Sequence, residues 1–477
     1  MLVYNTLHRT KEEFVPREIG KVSMYVCGVT PYDALHLGHV RTFLSYDMIR
    51  RYLERLGYEV RHVQNVTDID DKIINRAKQL GVDPLDLARK YSDEALQDCD
   101  ALGMRRAHEY PRVSVHMPEI LEMIQSLVQK RAAYVRDGSV YFDVSRFPDY
   151  GQLSHQNTAE MQSSGRIEVD GSKDDPLDFA LWKSSKPDEP RWDSPWGPGR
   201  PGWHVECSAM SLKYLQNGFD IHGGAVELQF PHHENEVAQS EAYTGSPPFV
   251  RYWLHGGVVF VDGKKMAKSL GNFITVQEIL KQATPDALRM MFYSTHYRSP
   301  FDYSASRLEE AKAAWERMQL GMLNLRRDLG RETRSDGSPA ASGYLADRAE
   351  DAERKFGRAM GDDFNTPIAL AALFDLVSEA NKYLAETAPS PSRSAEAAAA
   401  FIALERSLLV LGFAVVEGEG KHGEDQTALL LDLLVEIREK AREDKQFQLA
   451  DAIRARLHEM EIVLEDHPDG TTWRRKN

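Results

Sequence analysis

The chain has 477 residues, long enough for about three domains rather than one. Apolar residues at 42% and charged residues at 28% give a globular mix and exclude the disordered and fibrous classes. The net charge of −14 excludes a protein that coats nucleic acid by charge alone, while a local basic face stays compatible with it. No apolar run approaches the roughly 18 residues needed to cross a bilayer. Residues 1–14 (MLVYNTLHRTKEEF) lack a basic stretch followed by an apolar core, so a cytoplasmic protein is expected. Three cysteines, Cys27, Cys99 and Cys207, build no disulfide framework in that compartment.

Residues 21–26 (KVSMYV) predict a strand ending at Cys27-Gly28. A helix is expected from about Leu37 to His39 onward, with Leu44, Met48, Tyr52 and Leu56 at helical spacing and Gly57 as its stop. Residues 58–66 read as a second strand. Strand, helix and strand in this order form a βαβ unit, which implies a Rossmann-like parallel sheet with a crevice at its strand ends. Residues 111–201, ending in a Pro-, Gly- and Trp-rich stretch, read as an insertion that splits this fold. Residues 218–224 (GFDIHGG) return to the sheet, and Pro231 is expected to open a helix. Further β runs at 252–254 and 258–261 lead to the turn Asp262-Gly263. From Ser304 the pattern is nearly continuous helix, broken at 331–343 and 387–393; after a loop at 417–426 a last helical segment ends in Trp473-Arg474-Arg475-Lys476. The expected layout is an α/β catalytic domain (1–303, insertion 111–201), an all-α helical bundle (304–416) and a small C-terminal module (427–477).

Three groups of residues could carry chemistry. His36-Leu37-Gly38-His39 falls at the expected start of the first helix, where backbone N–H groups favour an anion and glycine lets phosphate approach. Lys264-Lys265-Met266-Ala267-Lys268-Ser269 follows the Asp262-Gly263 turn, and its lysines suit a pyrophosphate leaving group. Taken singly, capping histidines and a solvated charge run are the commoner explanations of these two. The third group is Cys27, Cys207, His232 and Glu236, the last two four apart on one helical face. Two thiolates, an imidazole and a carboxylate suit tetrahedral Zn²⁺, although His233 or Glu234 could substitute.

Taken together, and in this order, the histidine pair and the lysine loop resemble the HIGH and KMSKS motifs of class I aminoacyl-tRNA synthetases. Residues 27–33 (CGVTPYD), 202–210 (GWHVECSAM), 230–236 (FPHHENE), 362–367 (DDFNTP) and 465–471 (EDHPDGT) resemble the cysteinyl-tRNA synthetases, so the likeness runs through essentially the whole chain. The resemblance implies one zinc ion per chain on Cys27, Cys207, His232 and Glu236. It implies ATP, accompanied by Mg²⁺, on His36, Gly38, His39, Glu227, Lys265 and Lys268, with both histidines and both lysines catalytic. Gly28, Thr67 and Trp203 would line the cysteine pocket. The implied reaction runs from L-cysteine and ATP through cysteinyl-adenylate to tRNA-Cys, on a monomer whose C-terminal part contacts the tRNA. A shape-only pocket separates side chains differing by one group by only about 1–3 kcal/mol, so a soft metal that prefers thiolate to hydroxyl would explain selection against serine. Two departures stand out: Ala267 replaces the usual serine of the lysine loop, and Glu227 stands where an aspartate is common.

Overall fold

The computed structural model describes residues 1–157, 173–187, 189–266, 271–329, 342–415, 422–460, 462–467 and 470–475. It forms two compact units, Met1–Ala414 and Val415–Asn477.

The first unit opens with an antiparallel pair, β1 (Leu2–Asn5) and β2 (Thr10–Glu13). β3 (Lys21–Val29) follows, then the first helix (Leu37–Arg55) and β4 (Glu59–Val66). After helices Asp71–Leu80, Pro84–Ala101 and Met117–Gln129 come four antiparallel strands, β5 (Ala133–Arg136), β6 (Ser139–Phe142), β7 (Phe179–Ser184) and β8 (Gly199–Pro201). Helix Trp203–Leu215 leads to β9 (Phe219–Ala225), helix Glu234–Thr244 and β10 (Val250–Gly256). The central sheet runs β10-β9-β3-β4 with every pairing parallel. Its strands carry nearly unbroken buried runs because helices cover both faces. From β3 the chain steps outward to β4 on one side and later to β9 and β10 on the other. The carboxyl ends of β3 and β9 therefore flank the reversal point where such sheets leave a crevice.

β11 (Val259–Val261) and β12 (Lys264–Lys265) form the hairpin that enters the lysine loop, and β13 (Phe301–Tyr303) lies parallel to β11. Four helices then pack together: Ala305–Asp328, Tyr344–Met360, Thr366–Glu386 and Pro391–Val410. Between the second and third, Asp363 (φ 62°) and Phe364 (φ 53°) both lie in the left-handed region, which costs on the order of 1–3 kcal/mol for each such residue.

Pro231 opens the helix as expected: Phe230 before it is extended (φ −137°, ψ 132°), and helical backbone runs from Pro231 through His232 and His233 into the helix Glu234–Thr244. One expectation is corrected. The C-terminal unit is not helical to its end. Helices His422–Glu443 and Phe447–Glu459 are followed by an antiparallel hairpin, β14 (Ile462–His467) and β15 (Gly470–Arg475), so Trp473, Arg474 and Arg475 lie on a strand. Ile462 and Leu464 alternate onto one face and meet Leu431, Val435 and Leu457, a helical surface that stabilises strands too short to persist alone.

His62, on β4, is buried, and neither ring nitrogen has a hydrogen-bond partner among the described residues. Burial, aided by Arg50 and His108, lowers its pKa to about 3. The unfolded chain therefore binds a proton that the folded chain refuses, and stability falls as pH drops from about 6.5 toward 3. Replacing His62 with Leu should shrink the stability lost between pH 7 and pH 5 by about 1–2 kcal/mol, read from urea melts at both pH values. An unchanged difference would assign the acid sensitivity to other groups.

Candidate active site: a donor cluster and a histidine-capped helix

Three separate segments bring the metal-type donors together. Cys27 comes from the carboxyl end of β3, Cys207 from helix Trp203–Leu215, and His232 and Glu236, one helical turn apart, from the helical stretch that follows Phe230. Cys27 Sγ lies 4.0 Å from Cys207 Sγ, 3.5 Å from His232 Nε2 and 4.0 Å from Glu236 Oε1, and His232 Nε2 is 2.9 Å from that same oxygen. Zinc bonds of about 2.0–2.3 Å place tetrahedral neighbours about 3.3–3.8 Å apart, so these donors need only small shifts to close on one ion. All four are buried. Burial opposes charge on His232, but Glu236 and Cys207 overcome it and raise its pKa to about 10. Cys207 is held as a thiol by its contact with Cys27 and by burial. The cluster could hold a divalent metal ion.

A second set, Cys27, His222, His233 and Glu236, shares two members with the first. His233 Nε2 is 3.3 Å from Cys27 Sγ, while its Nδ1 meets His255 Nε2 at 2.8 Å. His222 Nε2 bonds Glu236 Oε2 at 3.0 Å. His222 was not legible as a site residue; its one signal is a histidine in the middle of a buried strand. Glu234, the other possible substitute, is committed elsewhere: it accepts the backbone N–H groups of Gly151 (2.8 Å) and Ser154 (2.6 Å).

Around the cluster lie the residues assigned to the amino acid. The Trp203 ring stacks on His232, with centroids 4.3 Å apart and planes 22° apart. Gly28 donates its N–H to Asn65 Oδ1 at 2.9 Å, and Asn65 Nδ2 donates to Thr67 Oγ1 at 3.1 Å. A Cβ on Gly28 would lie 1.7 Å from the Asn65 carbonyl oxygen, so only glycine permits this approach of β3 to β4.

His36 caps the first helix: its Nδ1 accepts the N–H of Gly38 at 3.1 Å, and its own N–H reaches His39 Nδ1 at 3.4 Å. The two rings lie 3.9 Å apart. Burial lowers the His36 pKa to about 4 and, with His36 and Lys72, depresses that of His39. Both are therefore neutral near pH 7 and can donate without carrying a charge. A side chain on Gly38 would strike the His36 ring, and Met266 of the lysine loop lies 3.6 Å from the same point. Ile274 and Leu35 pair the segment after the loop with the histidine turn, through Leu37 N–H to Ile274 O and Val276 N–H to Leu35 O. Lys265 forms an ion pair with Glu227, in the turn after β9. Lys268 and Ala267 lie outside the described residues.

Residues 13–313 match the family described as tRNA synthetases class I (C) catalytic domain, 355–415 the DALR domain, and 431–474 the cysteinyl-tRNA ligase anticodon binding domain. The chain is 49% identical to the cysteine–tRNA ligases of Pelotomaculum thermopropionicum and Carboxydothermus hydrogenoformans, each match covering 100% of both chains. In fold it resembles Mycobacterium tuberculosis methionyl-tRNA synthetase in complex with methionyl-adenylate, with a TM-score of 0.62, 17% identity, and 82% of this chain and 90% of that one covered.

Removing Cys207 separates the two donor sets. Cys207→Ala should weaken metal binding by about 100-fold or more, and His222→Asn, which only loses a bond to Glu236, by about tenfold. Competition against a chelator with elemental analysis reads both. The reverse ranking would move the ion to the set that contains His222 and His233.

Proposed function

This chain belongs to the cysteine–tRNA ligases of class I, and we propose that Cys27, Cys207, His232 and Glu236 hold one zinc ion that selects cysteine while His36, His39, Lys265 and Lys268 handle ATP. Its substrates are cysteine, ATP and tRNA. The donor cluster at the carboxyl end of β3, beside the phosphate-binding turn, is the observation that carries the proposal. Zinc bound there would favour the thiolate of cysteine over the hydroxyl of serine, because the ion is a soft acceptor and a thiol loses its proton far more easily than an alcohol. Among the two overlapping sets, the one with Cys207 supplies two thiolates and lies against Trp203, the side from which an amino acid would enter. His222 then acts by holding Glu236 through its second oxygen.

Gly28, Thr67 and Trp203 line the cysteine pocket, and the cysteine carboxylate attacks the α-phosphate of ATP to give cysteinyl-adenylate and pyrophosphate. His36 and His39 donate to the phosphate oxygens at the helix N-terminus, where Gly38 leaves the backbone open. Lys265 and Lys268, with Mg²⁺, meet the charge of the departing pyrophosphate. The Glu227–Lys265 pair supports a resting loop position that ATP must open, because the acid and a phosphate compete for one ammonium group. The ribose hydroxyls of ATP are the natural partners of Glu227 once it is released. The terminal adenosine hydroxyl of tRNA-Cys then accepts the cysteinyl group. Residues 1–303 form the catalytic domain, 304–416 the tRNA-contacting bundle and 427–477 the anticodon module of a cytoplasmic monomer.

Cysteine-dependent exchange of pyrophosphate into ATP, measured without tRNA, tests the reading. Exchange should be supported by cysteine and not by serine, vanish after rigorous chelation and return with zinc. Exchange that survives complete metal removal with its selectivity intact would overturn the zinc assignment. In the holoenzyme, His39→Asn should lower kcat for exchange by about 100-fold, with the KM for cysteine little changed; a change confined to the KM for cysteine would remove His39 from the phosphate site.

A further inference from the structure

The motif Asp362-Asp363-Phe364 has no part in the chemistry above, yet it occupies a costly position. Asp363 is fully buried, and its carboxylate gathers partners from two distant stretches of chain. Oδ1 accepts the N–H of Tyr4 at 2.9 Å and the hydroxyl of Tyr297 at 3.1 Å, and Oδ2 accepts Arg298 Nε at 2.6 Å. The Asp363 carbonyl meets His296 Nε2 at 2.9 Å. Phe364 sets its ring edge-on to Tyr297 and to Tyr52 of the first helix, with centroids 6.2 and 6.1 Å away.

The same short turn, residues 296–299, is gripped from its other side. Arg41, five residues beyond the histidine cap, is buried, and four backbone carbonyls surround its guanidinium. Nη1 donates to Gly257 O and Val258 O, both at 3.1 Å; Nη2 donates to His296 O at 3.1 Å and to Ser299 O. Gly257-Val258 lead directly into β11 and the lysine hairpin. Arg41 therefore clasps the helix that carries His36 and His39 to the strand that carries Lys265, and half of its acceptors belong to the turn held by Asp363. A side chain at Gly257 would lie 2.2 Å from Ser299 O, so this packing leaves the turn little room to move.

We propose that Asp363, a residue of the helical bundle, is a positioning residue for amino-acid activation: it fixes the turn 296–299, whose carbonyls seat Arg41 and so set the histidine turn against the lysine hairpin. The proposal rests on His36 and His39 being the phosphate-binding groups. Activation without tRNA thus depends on a residue outside the catalytic crevice, and the bundle has a direct mechanical connection to the reacting phosphates.

Pyrophosphate exchange without tRNA, on zinc-loaded protein, tests it. Asp363→Asn keeps an oxygen for Tyr4 and Tyr297, loses the charge facing Arg298, and tolerates positive φ. Arg41→Lys keeps the charge, but three ammonium donors cannot serve four carbonyls. Each should lower kcat by about tenfold, since a small misplacement of reacting groups is felt strongly, while the KM for cysteine stays within about twofold and zinc content is unchanged. The double variant should fall no further than about the worse single, whereas independent effects would multiply to about 100-fold. Arg298→Gln breaks the same pair from its half-exposed side, carries the same expectations, and serves if Asp363→Asn is not recovered folded. Multiplying effects, or normal exchange in Asp363→Asn and Arg298→Gln beside its loss in His39→Asn, would overturn the proposal and leave the active site standing. Full exchange in His39→Asn would overturn the phosphate assignment and this proposal with it.

Discussion

Two thiols, an imidazole and a carboxylate meet where water is excluded, and such a gathering destabilises the fold unless its charges are compensated. Taking ions out of water costs several kcal/mol each even after relaxation. Without a cation, the cluster compensates in part through His232, whose affinity for a proton rises beside Glu236 and Cys207. A divalent ion would complete the compensation, replacing weak sulfur contacts with bonds and fixing three segments at one point. The crevice walls belong to those segments, so pocket geometry and metal occupancy are linked by the same free energy.

The sheet determines where that point lies. Because β3 is central and the chain leaves it in both directions, the ends of β3 and β9 open into one crevice, with the histidine turn at its margin. Tyr25, His222 and Trp253 sit in register across β3, β9 and β10; the Tyr25 ring meets His222 edge-on, the His222 ring stacks on Trp253, and together they form an aromatic floor under the donors. On this floor Glu236 is held from two sides, by His222 and by His232. Cys99 shows the contrast: burial raises its thiol pKa to about 12, no other donor joins it in a metal-type cluster among the described residues, and it behaves as a small packing group.

Electrostatics distinguishes two parts of the crevice. Without a cation the donor cluster pairs the Glu236 carboxylate with a protonated His232 beside neutral thiols, whereas the histidine turn offers neutral imidazoles and a helix N-terminus, with Lys265 held by Glu227. Arg41 adds a buried cation surrounded by carbonyls, and burial lowers its pKa to about 10 without removing its charge at neutral pH. Its carbonyl partners keep it fixed while leaving its charge unneutralised, which favours an anion nearby.

The placement of most candidate residues was legible in the sequence, because glycine, cysteine and histidine spacings around short strands are local signals. The βαβ start, Cys27-Gly28, the histidine turn and the Asp262-Gly263 hairpin depend on a few neighbouring residues and were readable from them. The C-terminal hairpin was not, since Ile462 and Leu464 become a strand only by packing on helices far away in sequence. Nor could spacing choose between Glu234 and Glu236, two residues apart on one helix. The fold decided it, turning one carboxylate toward Cys27 and the other toward the backbone of Gly151 and Ser154. His222 and Asp363 belong to the tertiary structure alone: their partners come from segments brought together only when the sheet and bundle close, and no local pattern encodes a contact between residues so distant in the chain.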